Sequence, residues 1–561
     1  MRTKFDERIP LRDGVEVSAD VYLPDSTDPV AIVLARTPYN KNDAFSASKA
    51  ASYVEAGYGF VWVDVRGRGD SDGELAPYRQ EGKDGYDVVE WIAEQSWCDE
   101  NVITWGQSYL GAIQLLTAIE HPPHLRAMVV YVTPSDPFID WPTGVHLPIE
   151  ISWYRLIQRR LLQNTSATDW NRVYEHLPLI TMDTAAGFSS PRWQEDLHRG
   201  PSDTEYWEEM SFQHRLDTVD IPALHVTGWY DDVQPGGIRN FAILSEEAPS
   251  PETRASQRLV VGPWDHELTR DRNQRLGDID FGPDSHFDLD SFELAWLDHY
   301  VRGVDNGADR EARVQYFSMG ANTWETSECW PPKNQRLSLY LNHTAAANTR
   351  HGGGKLDLTA PKTATHDQFR YDPNDPVPFL TGETSAQIGG PDDYREVEDR
   401  QDVLSYTSDV IEDELTVAGQ ITVTLTVSTD GPDTDFTAML LDVHPDGYAQ
   451  RLCDGIARLR YRDGVETEKF VSPGEKVTVT IDLWNTGQVF RKGHKIRLDI
   501  SSSAFPKYDR SLNTSEPIAT RTEMRVAENT VWIGEEFGSR LELPVTEKPN
   551  HNDSPAKKVH N

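Results

Sequence analysis

The sequence is short of positive charge. Its 561 residues contain 54 lysines and arginines against 91 aspartates and glutamates, which gives a formal net charge of -37. So acidic a surface repels a phosphate backbone, which argues against nucleic acid as a partner. Two interpretations of the acidity stay open: an ordinary acidic protein, or a surface adapted to high salt, where dense carboxylates hold water and their repulsion is screened.

Cysteines and long apolar runs are also scarce. The three cysteines, Cys98, Cys329 and Cys453, are far apart and lack the spacing of metal ligands, which predicts reduced, buried side chains. No apolar segment is long enough to span a membrane, and the N-terminus carries no signal-peptide pattern. We therefore expect a cytoplasmic protein with no membrane partner.

Patterns that bind cofactors or metals are missing as well. There is no glycine-rich phosphate loop followed by Lys-Ser/Thr and no dinucleotide fingerprint. His121-Pro122-Pro123-His124 reads as a helix end and loop, because its prolines stiffen it and its spacing lacks a carboxylate. The sequence predicts an activity that needs neither a cofactor nor a metal.

What the chain does contain is an alternation of buried strands and helices. Continuous apolar runs at Ala31–Arg36, Phe60–Val65 and Val102–Trp105 are each followed by a turn and by helix-forming residues. This rhythm predicts βαβ units and a mostly parallel sheet.

An aromatic-rich segment interrupts the rhythm, and helices are expected in it over Ile149–Gln163 and Ser202–Met210. Because this segment falls between two strands of one sheet, we interpret it as a helical cap over the sheet's carboxyl edge; a few extra core helices are the alternative.

Short strands separated by Gly, Pro, Asn and Asp begin at Val314 and predict an all-β sandwich, with a long excursion over Thr344–Glu398. The predicted division of the chain is an α/β domain in two parts (1–136 and 221–312), a helical cap (137–220), a sandwich (313–546) and a disordered tail (547–561).

The strongest functional signal lies in Gly106-Gln107-Ser108-Tyr109-Leu110-Gly111, which follows a short apolar run and precedes good helix formers. A strand, a tight turn and a helix in this order push a serine hydroxyl out of the sheet and aim backbone N–H groups at a developing oxyanion. The pattern predicts that Ser108 is a nucleophile.

Ser71 fits the literal Gly-x-Ser-x-Gly pattern better, in Gly69-Asp70-Ser71-Asp72-Gly73. No helix start follows it, so no helix N-terminus would face an oxyanion. Its two neighbouring aspartates would also oppose negative charge there. We therefore favour Ser108.

A serine nucleophile needs a histidine base and an acid that orients the base. Two later predicted strands end in suitable residues: Trp229-Tyr230-Asp231-Asp232 and Pro263-Trp264-Asp265-His266. Open α/β sheets build their sites at such carboxyl ends. In the order serine, acid, histidine, the acid is Asp231 and the base is His266.

These residues belong to an ordered set of motifs that resembles the cocaine esterase and X-prolyl dipeptidyl peptidase group of α/β-hydrolases, also called CocE/NonD hydrolases. The resemblance runs from about Arg8 to about Leu543, and its specificity comes from the order of the blocks. The blocks are Arg36-Thr37-Pro38-Tyr39, Asp64-Val65-Arg66-Gly67-Arg68-Gly69, Gly106-Gln107-Ser108-Tyr109-Leu110-Gly111, Gly228-Trp229-Tyr230-Asp231, Gly262-Pro263-Trp264-Asp265-His266, Trp296-Leu297-Asp298-His299-Tyr300, Met319-Gly320-Ala321-Asn322-Thr323-Trp324, Gly493-His494-Lys495-Ile496-Arg497-Leu498 and Ser501-Ser502-Ser503-Ala504-Phe505-Pro506.

The resemblance implies an α/β-hydrolase fold with an inserted helical cap, followed by an all-β jelly-roll (galactose-binding-like) domain. It implies the same roles for Ser108, Asp231 and His266. It adds Tyr39, whose hydroxyl would donate to the oxyanion beside the backbone N–H of Tyr109. The implied partner is a small ester or amide or a short peptide.

Aromatic residues of the cap and of the two catalytic loops are candidates for an apolar acyl pocket. They are Trp141, Trp153, Trp170, Trp229, Tyr230 and Trp264.

The chain departs from the family pattern beside the histidine. Asp232 stands where many of these esterases have Gly, and Asp265 stands where Ser is common. An extra carboxylate close to His266 would raise its pKa. In so acidic a chain, we expect such a carboxylate to be exposed and without effect.

These residues and motifs leave three possible functions. A serine esterase or acylase acting on small substrates is the leading prediction. An X-Pro dipeptidyl peptidase or α-amino-acid ester hydrolase is the alternative, and it would need carboxylates for a free α-ammonium, with Asp136, Asp140 and Asp232 as candidates. A non-catalytic carbohydrate- or partner-binding protein is the third. The sequence leaves the acyl group, the leaving group and the oligomeric state open.

Overall fold

The computed structural model describes residues 1–136, 144–267, 274–381 and 389–546. The predicted tail at 547–561 lies outside the described residues. Two sheets dominate the molecule, one mostly parallel and one antiparallel, and both confirm the predicted fold class of an α/β-hydrolase domain followed by an all-β domain.

The first sheet has ten strands in the order β1-β2-β4-β3-β5-β6-β7-β8-β11-β12. It is parallel from β4 to β11, and its two edges are antiparallel. The inner strands are apolar along their whole length because helices cover both faces. The small hairpin β9–β10 is separate from this sheet. The first twelve strands of the chain are β1 (Arg2–Pro10), β2 (Glu16–Leu23), β3 (Val30–Thr37), β4 (Gly59–Asp64), β5 (Cys98–Gln107), β6 (Leu125–Tyr131), β7 (Ala223–Gly228), β8 (Arg258–Gly262), β9 (Arg275–Leu276), β10 (Ile279–Asp280), β11 (Val314–Ser318) and β12 (Thr323–Ser327).

The helices pack on this sheet or form the segment between β6 and β7. Aspartate side chains cap four of the described helices, α1, α5, α8 and α11. Asp43, for example, accepts a hydrogen bond from the Ser46 N–H, and Asp288 accepts one from the Ser291 N–H. The helices are α1 (Ala44–Glu55), α2 (Glu81–Ala93), α3 (Tyr109–Ala118), α4 (Glu150–Leu156), α5 (Trp170–Tyr174), α6 (Met182–Ala185), α7 (Pro191–Arg199), α8 (Thr204–Glu208), α9 (Gln234–Glu247), α10 (Pro251–Ser256) and α11 (Leu289–Tyr300).

Helix α9 did not stand out in the sequence. It starts with Gln234-Pro235-Gly236-Gly237, and paired glycines lower helix propensity. The tertiary structure explains Gly236, because a Cβ there would lie 2.1 Å from the carbonyl oxygen of Thr133. A close approach to the end of β6 therefore requires glycine here.

The segment between β6 and β7 is built from the short helices α4 to α8 around its own apolar cluster, which includes Ile151, Tyr154, Met182 and Trp193. The helix expected over Ile149–Gln163 ends at Leu156. The chain beyond it turns back to the sheet, where the carbonyl of Arg160 accepts the Gly69 N–H at 2.8 Å. A long-range contact thus shortens the helix.

The second sheet has eleven strands and is almost entirely antiparallel. Its longest strand, β17, pairs with β20 on one edge and with β22 and β23 on the other. The strands are β13 (Asn334–His343), β14 (Gly354–Asp357), β15 (Thr365–Tyr371), β16 (Leu404–Thr407), β17 (Leu415–Thr429), β18 (Asp435–Val443), β19 (Ala449–Arg458), β20 (Val477–Phe490), β21 (Lys495–Ser501), β22 (Ala527–Ile533) and β23 (Arg540–Thr546).

Two sequence expectations need correction here. The excursion at Thr344–Glu398 contributes β14 and β15, and β15 pairs along its length with β22. The strand that begins at Val314 belongs to the first sheet and not to the sandwich, because β11 pairs in parallel with β8. Apolar composition alone does not say which sheet a strand joins.

One apolar cluster spans the two sheets, and the first sheet has two further clusters of its own. Trp229 and Tyr230, after β7, pack in the same cluster as sandwich residues such as Leu452 and Leu483. None of the described helices is long and apolar enough to cross a bilayer. The cysteines are unpaired as predicted, although Cys329 is exposed rather than buried.

Candidate active site

Ser108 occupies a strained turn between β5 and α3. Its φ of 58° and ψ of -124° lie in a region that residues with a Cβ rarely adopt. The two glycines of the motif allow the turn to be this tight. A Cβ on Gly106 would lie 2.4 Å from Cβ of Leu110, and one on Gly111 would lie 2.1 Å from Oγ1 of Thr133. The geometry is that of a nucleophile elbow.

Tyr109 begins helix α3, so its backbone N–H has no acceptor within the helix and is free to meet an anion beside Ser108. Its side chain is buried and tied down. The Tyr109 hydroxyl donates to Oε1 of Glu81 at 2.8 Å, and Glu81 also forms a buried ion pair with Arg36. Because Arg36 lies three residues before Tyr39, this network joins the elbow to the loop that carries Tyr39.

Asp231 and His266 lie together at the carboxyl ends of β7 and β8. Oδ1 of Asp231 is 2.8 Å from Nδ1 of His266, and Oδ2 accepts a hydrogen bond from the Thr227 hydroxyl at 2.7 Å. Two backbone hydrogen bonds join the loops, from the Trp229 N–H to the Gly262 carbonyl and from the Tyr230 N–H to the Trp264 carbonyl. The carboxylate can therefore hold the imidazole in one orientation, with Nε2 left for chemistry.

Asp232 is not exposed, contrary to the expectation from sequence. Its Oδ1 is 2.9 Å from the same Nδ1 of His266, so the imidazole faces two carboxylates. Burial alone would lower the pKa of His266, but the charges and hydrogen bonds of Asp232 and Asp231 outweigh it and raise that pKa well above its usual value. Burial also works to raise the pKa of Asp232, yet the neighbouring imidazolium keeps it below its usual value.

Tyr39 is half-buried and its hydroxyl faces the site. Burial raises its pKa, while hydrogen bonding with Trp153, the charge of His266 and the nearby Ser108 hydroxyl work in the opposite direction. The Trp153 indole N–H donates to the Tyr39 oxygen at 3.0 Å. Because the oxygen accepts this bond, the phenol proton is free to be donated to another group.

The aromatic residues predicted to line an acyl pocket lie in different surroundings. Trp141 lies outside the described residues. Trp153 lies beside Tyr39 and against the ring of Tyr109, with ring centres 5.8 Å apart. Trp170 stacks on Tyr174 within the segment between β6 and β7, and its indole N–H donates to the Thr165 carbonyl.

Three predicted pocket aromatics instead pack under the loops that carry Asp231 and His266. They are Trp229, Tyr230 and Trp264. Trp229 is 3% exposed, and its indole N–H donates to the Phe317 carbonyl. The Tyr230 hydroxyl donates to the Arg451 carbonyl. The ring of Trp264 covers Gly262. Buried contacts with β11 and with the sandwich thus remove Trp229 and Tyr230 from any open pocket.

The other residues considered as a nucleophile or as carboxylates for an α-ammonium make hydrogen bonds that support the fold. Ser71 is fully buried, and its hydroxyl donates to the Asp64 carbonyl. The Asp136 carboxylate accepts the backbone N–H groups of Phe212 and Gln213. Asp140 lies outside the described residues.

Two groups of His and Asp have potential ligand atoms within 4.8 Å of one another in the described part of the chain. One is Asp231, Asp232 and His266. The other, in the sandwich, is Asp442, His444 and His494, where Asp442 accepts from Gln488 and pairs with Nδ1 of His494 at 2.8 Å. These contacts already give each carboxylate a partner within its group.

The supporting roles of Arg36, Glu81 and Trp153 could not be predicted from the sequence. Arg36 stands in a motif block, but nothing in the sequence pairs it with Glu81, which lies 45 positions later. Trp153 was expected in an acyl pocket; its contact with Tyr39 spans 114 positions. Such pairings depend on the fold and leave no local pattern.

Comparison with known proteins finds whole-length similarity. Residues 13–267 match the family model for X-Pro dipeptidyl-peptidase (S15 family), and residues 306–542 match that for the X-Pro dipeptidyl-peptidase C-terminal non-catalytic domain. Cocaine esterase of Rhodococcus sp. (strain MB1 Bresler) is 36% identical over 96% of this chain and 98% of its own.

Solved structures are similar over nearly the whole chain. An aminopeptidase from the marine sediment archaeon Thaumarchaeota archaeon superposes with a TM-score of 0.85 at 26% identity, covering 97% of each chain. An α-amino acid ester hydrolase superposes with a TM-score of 0.86 at 24% identity, covering 97% of this chain and 96% of that one, which bears on the fold alone.

Proposed function

The chain belongs to the X-Pro dipeptidyl-peptidase (S15) family and is a serine hydrolase, and from this premise we propose that it is an esterase or acylase whose nucleophile is Ser108. In this proposal Asp231 and His266 complete a catalytic triad, and the Tyr39 hydroxyl and Tyr109 N–H form the oxyanion hole. We also propose a cytoplasmic location, which the unpaired cysteines favour.

The observation that carries the proposal is the joint geometry of three loops. A strained serine at the start of α3, an imidazole 2.8 Å from a buried carboxylate, and a phenol whose oxygen already accepts an indole N–H come from three parts of the chain. The pKa of Tyr39 responds to both Ser108 and His266, so each of these two residues lies within reach of the phenol. This arrangement suits acyl transfer.

The mechanism follows from these positions. His266 accepts the proton of Ser108 as the serine oxygen attacks the substrate carbonyl carbon, and the oxyanion is stabilised by Tyr39 and the Tyr109 N–H. The imidazolium then protonates the leaving oxygen or nitrogen, which leaves an acyl-enzyme. Water attacks this ester while His266 accepts its proton, and the acid is released with Ser108 restored.

An esterase is favoured over an aminopeptidase by the state of the nearby carboxylates. Recognition of an α-ammonium needs a carboxylate that is free to pair with it. Of the candidate carboxylates in the described part of the chain, Asp136 is committed to two backbone N–H groups, and Asp232 faces Nδ1 of His266, the ring nitrogen opposite the one proposed to act on Ser108. The cocaine esterase similarity over the whole length supports the same conclusion.

A peptidase that acts on N-terminal residues is the second candidate. It is favoured by the family match and by the superposition on the archaeal aminopeptidase.

A substrate panel tests both candidates. Values of kcat/KM for short p-nitrophenyl esters would be compared with those for Xaa-Pro anilides and amino-acid esters. We expect the simple esters to be the better substrates. A preference for Xaa-Pro anilides would instead establish the peptidase.

Two substitutions test the residue roles. Ser108→Ala is expected to lower kcat by about 10⁴-fold or more. Tyr39→Phe is expected to lower kcat by about 10²- to 10³-fold, since it removes one oxyanion donor and keeps the ring. Undiminished ester turnover by Ser108→Ala would refute the proposal.

A further inference from the structure

A large cleft separates the turn after β4 from the segment that follows α4. It has a volume of about 1040 Å³, and its described lining contains five arginines, Arg68, Arg155, Arg159, Arg160 and Arg192, against one acidic residue, Glu74. This ratio is the reverse of that in the whole chain, where acidic residues outnumber basic ones by 91 to 54. The cleft is a local concentration of positive charge on an acidic protein.

Most of this charge is not neutralised by the protein. Among the described residues, Arg192 pairs with Asp196, whereas no salt bridge joins Arg68, Arg155, Arg159 or Arg160 to a carboxylate. Arg155 donates to the neutral side-chain oxygens of Gln158 and Gln163. Arg159 is exposed in the cleft.

Of the five arginines, Arg68 most clearly indicates that the cleft binds an anion. It is 1% exposed, and its guanidinium donates to the carbonyls of Pro38 and Ile157, while Nη2 has no acceptor within the described structure. The charge of the buried Asp64 carboxylate acts on this guanidinium, but no salt bridge joins the two in the described structure, so an anion in the cleft would further offset the cost of burying the charge. Burial lowers the pKa of Arg68 to about 10, which still leaves it charged at neutral pH.

The cleft also adjoins the proposed oxyanion hole. Pro38 directly precedes Tyr39, and Ile157 lies four residues after Trp153, so Arg68 links the two chain segments that carry these side chains. Arg160 fixes the opposite wall by donating to the carbonyls of Gly69 and Ser71. A ligand on Arg68 would therefore be separated from the Tyr39 and Trp153 side chains only by the chain segments that carry them.

We propose that this arginine cleft binds the carboxylate of an organic acid. The carboxylate belongs either to the distal end of an ester substrate or to a free acid such as a hydrolysis product, and only the first source rests on the proposed function. Arg68 and the guanidiniums of Arg155 and Arg159 bind it. Planar guanidiniums suit carboxylates because two N–H groups can meet two oxygens.

Binding is measured by calorimetry on the Ser108→Ala protein at low ionic strength, with glutarate as the probe and its neutral diamide as the blank. We expect glutarate to bind, and the double variant Arg155→Gln/Arg159→Gln to weaken it at least ten-fold. The matched control is Arg172→Gln, which removes the same charge from an exposed arginine on α5, outside the cleft.

A kinetic arm distinguishes the two sources. It compares kcat/KM for p-nitrophenyl hydrogen glutarate with that for p-nitrophenyl butyrate. If the carboxylate belongs to the substrate, the ratio falls at least five-fold in the double variant and stays near the wild-type value in Arg172→Gln. Glutarate binding without such a fall identifies a free acid.

The proposal is overturned if glutarate fails to bind, or if it binds equally to the double variant and the control. Failure of the esterase proposal looks different: no ester is hydrolysed while arginine-dependent glutarate binding persists. Unfolding temperatures of the double variant and of Arg172→Gln, measured in parallel, identify a loss of binding that comes from misfolding.

Discussion

At the scale of single residues, the site is defined by what surrounds each reactive atom. His266 differs from a histidine with one carboxylate partner, because Asp232 and Asp231 both approach its Nδ1. Asp265, the residue before it, is partly buried, and burial raises its pKa to about 6. The pH at which His266 becomes a neutral base therefore depends mainly on Asp231 and Asp232, with Asp265 and Tyr39 as further titratable neighbours.

Asp232→Asn is expected to move the acid limb of the kcat/KM profile to lower pH. The sign follows from the raised pKa of His266: the base is neutral only above that pKa, and removing one carboxylate lowers it. The profile is measured with a neutral p-nitrophenyl ester. Asp265→Asn is the control and should shift the limb less, since Asp265 contributes less to the charge at His266. An acid limb that stays in place in Asp232→Asn would show that Asp232 does not tune the base.

At the scale of elements, the elbow depends on close packing between α3 and β6. Ser108 donates its backbone N–H to the Tyr131 carbonyl at 3.0 Å, and Gly111 passes directly over Thr133. Because the start of α3 carries both the proposed nucleophile, Ser108, and the Tyr109 N–H, a small displacement of the helix moves both. The packing of Gly111 against Thr133 thus sets the position of the start of α3.

Gly111→Ala is expected to lower kcat by about 10²-fold, because its Cβ would lie 2.1 Å from Oγ1 of Thr133 and must displace the helix start. Steady-state kinetics and the unfolding temperature are measured together. Thr133→Ala should partly restore kcat in the Gly111→Ala background, since it removes the clashing hydroxyl group. Strictly additive effects of the two changes would contradict this explanation.

At the scale of the whole molecule, the sandwich supports the loop that carries the proposed acid. Gln234, just after Asp231, is fully buried and exchanges two hydrogen bonds with the backbone of Asn485, which lies in β20. The Tyr230 hydroxyl donates to the carbonyl of Arg451, which lies in β19. The second domain therefore contributes to the site without supplying a reacting group.

Gln234→Leu is expected to lower the free energy of unfolding by about 1–3 kcal/mol, since it leaves two part-buried backbone groups of Asn485 without their side-chain partner. It should also lower kcat, because the Asp231 loop loses its support. Denaturant unfolding and ester kinetics measure the two effects. Gln420→Leu, which removes an exposed hydrogen bond to Asp482 on the sandwich, should change neither. Wild-type kcat in Gln234→Leu would show that the sandwich does not hold the loop.

The net charge of -37 predicts how stability responds to salt. Added KCl screens the repulsion between surface carboxylates, so the unfolding temperature should rise by at least ~2 °C between about 0.1 and 2 M KCl. A parallel series in sucrose, which acts by exclusion from the surface, separates screening from a general solvent effect. An unfolding temperature that is flat or falls in KCl would favour the ordinary acidic protein over a salt-adapted one.

Much of the fold could be predicted because its signals are local. The buried strands from β3 to β8, the turn around Ser108 and the strand ends that carry Asp231 and His266 are each recognisable within about ten residues. Membership of the sheets was harder to predict. Val314–Ser318 has the composition of any short buried strand, and only pairing with β8 assigns it to the first sheet. Gly236 in α9 has no local explanation either, because the contact that requires glycine there is with Thr133, about a hundred residues earlier.

The sequence by itself determined the fold class, the family resemblance and the order of the candidate serine, acid and histidine, because residue type and short spacing encode them. Only the tertiary structure brought Asp232 onto His266, Trp153 onto Tyr39, Glu81 between Arg36 and Tyr109, and Arg68 behind the Tyr39 loop. These contacts join residues of separate elements. Their charge and hydrogen-bond effects depend on distances of about 3 Å that only the folded chain sets.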